Sequence, residues 1–275
     1  MPAVDVKAIA RELLHAHASG QIVPVPPSSR NADFDLSMAY AVEAELVRLR
    51  RASGRTTVGR KVGFANKALW RVLRLDTLVW AHMYDDTVRY ADDNVASLSL
   101  EHTCCPKIEP EIVFKMKRPV SPGELEPPAL LEAVEWLALG FEIIDCVFAG
   151  EKFQPADFVA AFGFHAALVV GEPRRIEPEI IPTLIDQLPR FKVRLLKDEQ
   201  LVEEGSGKNS LRSPALCLSE LASAISRQPS APPLAAGELV SSGTLTESQR
   251  IAPGETWTAI VDGLELPDLT LHAIP

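Results

Sequence analysis

Carboxylates set two residues apart on a strand can hold a cation between them, and the sequence offers such a pair at Glu109 and Glu111. They sit in Lys107-Ile-Glu-Pro-Glu-Ile-Val-Phe-Lys-Met116, where Ile108, Ile112, Val113 and Phe114 suit a pleated surface and predict a strand. Side chains of a strand alternate between faces, so both carboxylates project to the same side. Pro110 points the other way and donates no backbone hydrogen bond. That places the pair near a strand start or on a sheet edge, where a cleft can open. The plain alternative is a solvated edge strand with two exposed glutamates. Glu142 is the third candidate. It lies in Leu139-Gly-Phe-Glu-Ile-Ile-Asp-Cys-Val-Phe148, a run too apolar for a solvated strand, and a lone carboxylate there is costly to bury without a cation. Asp145 falls on the opposite face. Three glutamates make an all-oxygen donor set, which suits Mg2+ or Mn2+ rather than zinc; a salt bridge from Glu142 to an arginine or lysine is the alternative. Lys61, in Val58-Gly-Arg-Lys-Val-Gly-Phe64, is a lysine in an apolar, glycine-flanked strand. Buried lysines change pKa readily and act as acid or base. A surface lysine is the commoner case, and alternation with Arg60 lets only one of the two face inward.

The elements that must position these residues follow from periodicity and caps. Apolar residues at helical spacing predict a helix over 4–17, with Gly20 to stop it. A loop rich in proline and serine covers 23–30. A helix over 36–52 follows, with Asp35 as N-cap and Gly54 beyond its end. These helices form a small N-terminal layer, residues 1–55, ahead of a catalytic domain over 56–275. A strand over 58–63 carries Lys61, and Asn66 caps a short helix reaching Arg74. Residues 88–100 are extended. Beyond the Glu109/Glu111 strand come a Pro/Gly loop over 119–128, a helix over 129–139 closed by Gly140, and a short strand over 141–148. Further strands are expected over 165–170, 191–196, 239–245, 257–261 and 269–274. A helix over 214–226 starts behind Ser213, and Asp262-Gly263 favours a tight turn. Many strands with few interspersed helices do not fit a regular βαβ winding and point to an α+β class.

The 275 residues, 47% hydrophobic and 24% charged, are ample for a full core. A net charge of −9 and a pI near 5.3 argue against nucleic acid and against a polybasic membrane patch. No apolar run is long enough to span a bilayer. The first twenty residues, with Asp5, Arg11 and Glu12 among them, lack a signal-peptide core. Cys104, Cys105, Cys146 and Cys217 show neither CxxC spacing nor disulfide density, so inert, reduced thiols in a cytoplasm are expected.

Taken in order, several segments resemble the landmarks of one family. They are Gly59-Arg-Lys-Val-Gly63, His82-Met-Tyr-Asp-Asp86, Pro106 to Phe114 with its Glu-Pro-Glu, and Phe141-Glu-Ile-Ile-Asp145, followed by Gly205-Ser-Gly207, Pro214 and Ser242-Gly-Thr-Leu-Thr246. The family is the 2-keto-4-pentenoate hydratases and 4-oxalocrotonate decarboxylases, within the fumarylacetoacetate hydrolase superfamily. The Glu-Pro-Glu piece alone is weak; the ordered set is specific. The resemblance implies a β-rich, mixed-sheet, fumarylacetoacetate-hydrolase-like fold with Mg2+ or Mn2+ held by Glu109, Glu111 and Glu142. The carboxylate and 2-oxo oxygen of a pyruvate-like substrate would chelate the ion, which acts as a Lewis acid on an enolate. Lys61 would move a proton or hold the substrate carboxylate. Asp85, Asp86 and His82 are the implied candidates for a second acid or base, and Phe162 and Thr244 join Lys61 as substrate-binding candidates.

The implied reaction is hydration of a small unsaturated 2-oxo or 2-hydroxydienoic acid, such as 2-hydroxypenta-2,4-dienoate, in aromatic-compound catabolism. The implied enzyme is a cytoplasmic homo-oligomer, alone or complexed with a related decarboxylase or hydratase. Decarboxylation of a 4-oxalocrotonate-type substrate and hydrolysis of an acylpyruvate are alternatives on the same fold. The histidine-glutamate pair expected of the hydrolase is not evident near the N-terminus. A catalytically silent accessory or binding subunit is the alternative of another class. One departure bears on the substrate: family members commonly carry Ala-Asp-Asn where this chain has Ala160-Ala161-Phe162. A phenyl ring cannot satisfy a buried carboxylate, so an apolar far end of the substrate, methyl- or aryl-terminated, is expected near Phe162.

Overall fold

Two long antiparallel strands form the spine of the structure, a computed structural model that describes residues 4–121, 123–228 and 231–275. Residues 1–3 of the N-terminal stretch and Pro122 of the expected 119–128 loop lie outside the described residues. In chain order the strands are β1 (Thr57–Gly63), β2 (Val79–Tyr84), β3 (Val88–Tyr90), β4 (Val95–Ser99), β5 (Pro106–Met116), β6 (Val134–Asp145), β7 (His165–Val170), β8 (Arg174–Arg175), β9 (Lys192–Lys197), β10 (Gln200–Ser206), β11 (Leu239–Ser241), β12 (Gln249–Arg250), β13 (Thr256–Asp262) and β14 (Leu269–Ile274). The helices are α1 (Val6–Ser19), α2 (Pro27–Arg30), α3 (Leu36–Ala52), α4 (Lys67–Leu73), α5 (Pro127–Glu132), α6 (Pro155–Ala160), α7 (Ile181–Gln187) and α8 (Pro214–Ser226).

The larger sheet runs β2-β1-β11-β5-β6-β7-β3, with β12 also on β5 and β8 also on β6; the smaller runs β10-β9-β13-β14-β4. This is the mixed α+β architecture expected. Ile112, Phe114, Leu139 and Phe141 of the larger sheet share one buried cluster with Leu195 and Trp257 of the smaller sheet and with Leu218 and Leu221 of α8. A second cluster joins the apolar stripes of α1 and α3 (Leu13, Val42, Leu46) to Phe148, Phe158, Phe162 and Phe164. Both N-terminal helices start on aspartate caps: Asp5 accepts from Ala8 N–H at 3.0 Å and Asp35 from Met38 N–H at 2.9 Å. Among the described residues no helix is long and apolar enough to cross a membrane.

Three local expectations change. The helix expected over 129–139 ends at Glu132, and β6 begins at Val134. Val134, Leu137, Ala138, Leu139 and Phe141 are all buried, and a strand covered on both faces accommodates such a continuous apolar run. Gly140 is therefore no helix stop. A Cβ there would lie 2.6 Å from Val113 Cγ2, so the glycine lets β5 and β6 pack closely. Second, β5 is an interior strand, between β6 and β11, rather than an edge. Pro110 is tolerated because of where its missing donor falls. In a strand the N and C=O of one residue point to the same neighbour, and Pro110 C=O accepts from Leu245 N–H at 2.9 Å. That side is the gap between the β11 and β12 ladders, spanned by the 242–246 loop rather than by a strand. Third, Arg60 and Lys61 are both buried, on opposite faces of β1. Arg60 pairs with Glu238, donates to Pro232 C=O at 3.0 Å and lies over the Trp80 ring.

Candidate active site

The ladder between β5 and β6 sets Glu109 directly opposite Glu142 and Glu111 opposite Gly140. Parity therefore gathers the three glutamates on one face of the sheet, and one carboxylate oxygen from each lies within 4.8 Å of the others. β1 reaches the same face through β11, because Lys61 is in register with Ser241 and Ser241 with Val113. Gly59 makes this possible: a Cβ there would sit 2.2 Å from Leu239 C=O.

Lys61 Nζ lies 2.9 Å from Glu142 Oε2, and the Phe158 ring covers the ammonium at 5.1 Å. The other Glu142 oxygen is 2.9 Å from His165 Nδ1, and His165 Nε2 is 2.9 Å from Thr87 Oγ1. Thr87 Oγ1 also donates to Tyr84 C=O at 3.0 Å, tying the histidine to the turn after β2. This chain braces the third carboxylate. Glu111 accepts from the Ser241 hydroxyl and, at 2.8 Å, from Gly243 N–H on one oxygen; its other oxygen is buried without a partner among the described residues.

Burial dominates the electrostatics, and the charges then sort the three acids. It pushes Glu109 up to about 7, with Lys61 opposing and Glu142 adding to the rise. Glu111 is pushed further above the ordinary carboxylate range by burial and by the charges of Glu142 and Glu109. Burial raises Glu142 as well, but Lys61 and His165 outweigh it and hold the carboxyl below its ordinary range. Burial pulls Lys61 down, yet the three carboxylates more than compensate and keep it protonated. Three carboxylate donors, two buried and one half-buried, with one Glu111 oxygen unpartnered among the described residues, fit a hard divalent cation, which would relieve the repulsion.

The other sequence-derived candidates sit elsewhere. His82 is across from Arg60 on the face opposite Lys61, with Nδ1 2.6 Å from Glu43 Oε1. The alternation along β2 puts Ala81, not His82, beside Lys61. Asp85 accepts from Thr56 N–H at 3.2 Å, and Asp86 pairs with Arg50 and Arg55. None of these three shares a hydrogen bond or ion pair with the glutamates, so the structure corrects their place beside the cluster. Phe162 follows α6 in a 3-10 turn, not a strand, and its ring stacks against His17 at 4.4 Å and Tyr84 at 6.0 Å. Thr244 directly follows Gly243 and lines a cavity whose wall includes Ala65, Lys208 and Arg212 but none of Lys61, Glu109, Glu111 and Glu142. Asp145 receives the Cys104 and Cys105 N–H groups, away from the cluster. The four cysteines are free, and burial followed by the Asp145 charge pushes the Cys104 thiol up to about 12. His165 and Phe158 were not singled out by sequence reasoning; a histidine opening an apolar strand was the available signal for the first.

No protein-family model matches the chain. Its sequence is 28% identical over 255 residues to 2-keto-4-pentenoate hydratase of Paraburkholderia xenovorans (strain LB400), covering 93% of this chain and 90% of that protein. It is 26% identical over 239 residues to 2-hydroxyhexa-2,4-dienoate hydratase of Comamonas testosteroni, 87% of each. It is 27% identical over 253 residues to a 4-oxalocrotonate decarboxylase of Pseudomonas sp, covering 91% and 92%. Among solved structures, 4-oxalocrotonate decarboxylase from Pseudomonas putida G7, complexed with magnesium and adipate, superposes with a TM-score of 0.87 over 98% of this chain and 97% of that one, at 23% identity. Fumarylpyruvate hydrolase from Pseudomonas aeruginosa, in complex with Mn2+ and pyruvate, gives 0.55 over 79% and 89%, at 15% identity. The chain shares the fold of these solved structures. The sequence resemblance to the 2-keto-4-pentenoate hydratases and 4-oxalocrotonate decarboxylase holds over nearly the full length of both partners.

Proposed function

We propose that this chain is a divalent-metal-dependent lyase of the hydratase type, adding water to a small unsaturated 2-oxo or 2-hydroxydienoic acid. The observation that carries the reading is the cluster of strand-borne glutamates, Glu111 and Glu142 buried and Glu109 half-buried, with Lys61 clamped against it. Glu109, Glu111 and Glu142 would hold the ion, with Mg2+ or Mn2+ suited to the all-oxygen set. When bound, the ion supplies Lewis-acid polarisation of the substrate's 2-oxo group. Lys61, charged and shielded by Phe158, is placed to hold the substrate carboxylate or move a proton at the adjoining carbon. Thr87 and His165 fix the orientation of Glu142. Thr244 is a substrate-binding candidate in this reading. Residues 1–55 serve as the helical layer and 56–275 as the catalytic body in this reading, and a homo-oligomer in a cytoplasm, in keeping with four free thiols, completes it. The names of the relatives support hydration over the other reactions of the fold. The test is an ultraviolet screen of 2-hydroxydienoates with chelator-treated and Mg2+- or Mn2+-restored protein. Turnover that is lost on chelation and regained with metal supports the reading; full activity in metal-free protein ends it.

A further inference from the structure

We infer that the cavity behind β2, on the side of the strand that carries His82, binds a small uncharged phenol whose hydroxyl donates to His82 Nε2. The cavity has a volume of about 240 Å³. That is room for one aromatic ring, since a dry cavity of about 150 Å³ already holds benzene. Tyr40, Glu43 and Val47 line it from one face of α3, Trp80 and His82 from one side of β2, and Pro232 adds to the wall. Lys61, Glu109, Glu111 and Glu142 are not part of it, so the site is separate from the proposed reaction.

Three observations carry the inference. The first is a buried histidine with one nitrogen held and one free. His82 Nδ1 lies 2.6 Å from Glu43 Oε1, and the same oxygen accepts from His82 N–H at 3.2 Å. A carboxylate only accepts, so Nδ1 carries the proton, and the neutral ring keeps its lone pair on Nε2. Among the described residues Nε2 has no protein partner, yet it is not one of the sealed polar atoms. It is therefore open, and the cavity is the space that His82 lines. The second is an unmet donor in the same wall. Trp80 is buried, and its Nε1 has no partner among the described residues, an uncommon and unfavourable state for an N–H group. A phenol oxygen has one proton to give and lone pairs to receive, which matches an open acceptor and an unmet donor on adjoining rings. The third is the character of the walls. The Tyr40 and Trp80 rings lie 5.2 Å apart, and His82 stands edge-on to Trp80 at 5.4 Å, so a guest ring meets aromatic faces and edges. Glu43 and Arg51, one charge of each sign, both line the cavity. The wall thus carries no net charge to hold an ammonium or a carboxylate, and a neutral hydroxyl on a ring is the guest that fits.

The experiment titrates the full chain, at mildly alkaline pH, with phenol and with anisole, which keeps the ring but has no proton to give; binding is read by saturation-transfer NMR of the ligand. Phenol should bind about tenfold tighter or more, as a retained hydrogen bond to a buried acceptor implies. His82→Phe should bring the two ligands to equal affinity. Ala44, exposed on α3, also lines the cavity, so Ala44→Trp should fill it and abolish phenol binding while the fold, checked by a thermal melt, and Mn2+ affinity are unchanged. This second variant decides the matter even where His82→Phe does not fold. Equal affinity for phenol and anisole in the unaltered chain, no binding of phenol, or phenol binding that survives Ala44→Trp overturns the inference. So does loss of phenol binding in Glu111→Gln, which would put the guest at the glutamate cluster instead.

Discussion

Lys61 touches Glu142, sits under Phe158 and feels all three carboxylates, so replacing it separates metal binding from chemistry. Lys61→Met retains length and packing without charge. Mn2+ affinity, read by titration, should survive, while kcat falls roughly 10²–10⁴-fold, the range for acid–base groups. A normal kcat would make the lysine structural. Glu111→Gln removes one donor charge and should sharply weaken Mn2+ binding, whereas Asp145→Ala should leave it intact because Asp145 serves the Cys104–Cys105 turn. Loss of Mn2+ affinity in the second variant would place the ion elsewhere. At this scale strand parity paired Glu109 with Glu111 and an apolar run singled out Glu142; that Glu142 faces the same side comes from the β5–β6 register. His82, Asp85 and Asp86 could not be placed so, since their partners are Glu43, Thr56, Arg50 and Arg55, all from a preceding segment whose position against β2 is a tertiary fact.

The β5–β6 pair holds two of the metal-ligand candidates face to face, and Gly140 controls how closely that pair packs. Gly140→Ala would push a methyl to 2.6 Å from Val113 Cγ2 and 3.2 Å from Val169 C=O. Overpacking of this kind costs about 1–3 kcal/mol; the urea midpoint should drop without a change in m-value. An unchanged midpoint would show that Val113 can yield freely. The boundary between α5 and β6 escaped sequence reading for a related reason. Leu130, Leu131, Val134, Leu137 and Leu139 satisfy a helical stripe as well as a doubly covered strand, and only the presence of β5 and β7 on either side of β6 decides between them. Capping signals were more legible at Asp35 and Asn66, which act on their own neighbours three or fewer residues away; Asp5, inside the expected 4–17 helix, turns out to be its cap.

Across the whole molecule, the candidate metal site couples chemistry to stability. Burying several like charges is unfavourable by several kcal/mol per ion without a counter-charge, so a cation that binds only the folded state should raise the melting temperature. At a free concentration a hundred times Kd the gain is about 2.7 kcal/mol. A scan with and without Mn2+ measures it, and Glu111→Gln should abolish the increment. A melting temperature indifferent to Mn2+, Mg2+ and chelator alike would count against a divalent ion in this cluster. The α+β class was legible in outline from the strand count; the division into two sheets was not. The order of strands was not, because β11, only three residues long, is what joins β1 to β5.

That short strand also dictates when the molecule can come together during synthesis. Lys61 stands on β1 and the glutamates on β5 and β6, but Leu239–Ser241 must be laid between them before the two halves share a sheet. Until Leu239–Ser241 have left the ribosome, the nascent protein carries two unjoined ladders with open edges, a state that favours chaperone capture or aggregation. A fragment ending at residue 236 should accordingly be recovered aggregated, and supplying the missing segment separately should not restore Mn2+ binding once those edges have paired with other chains.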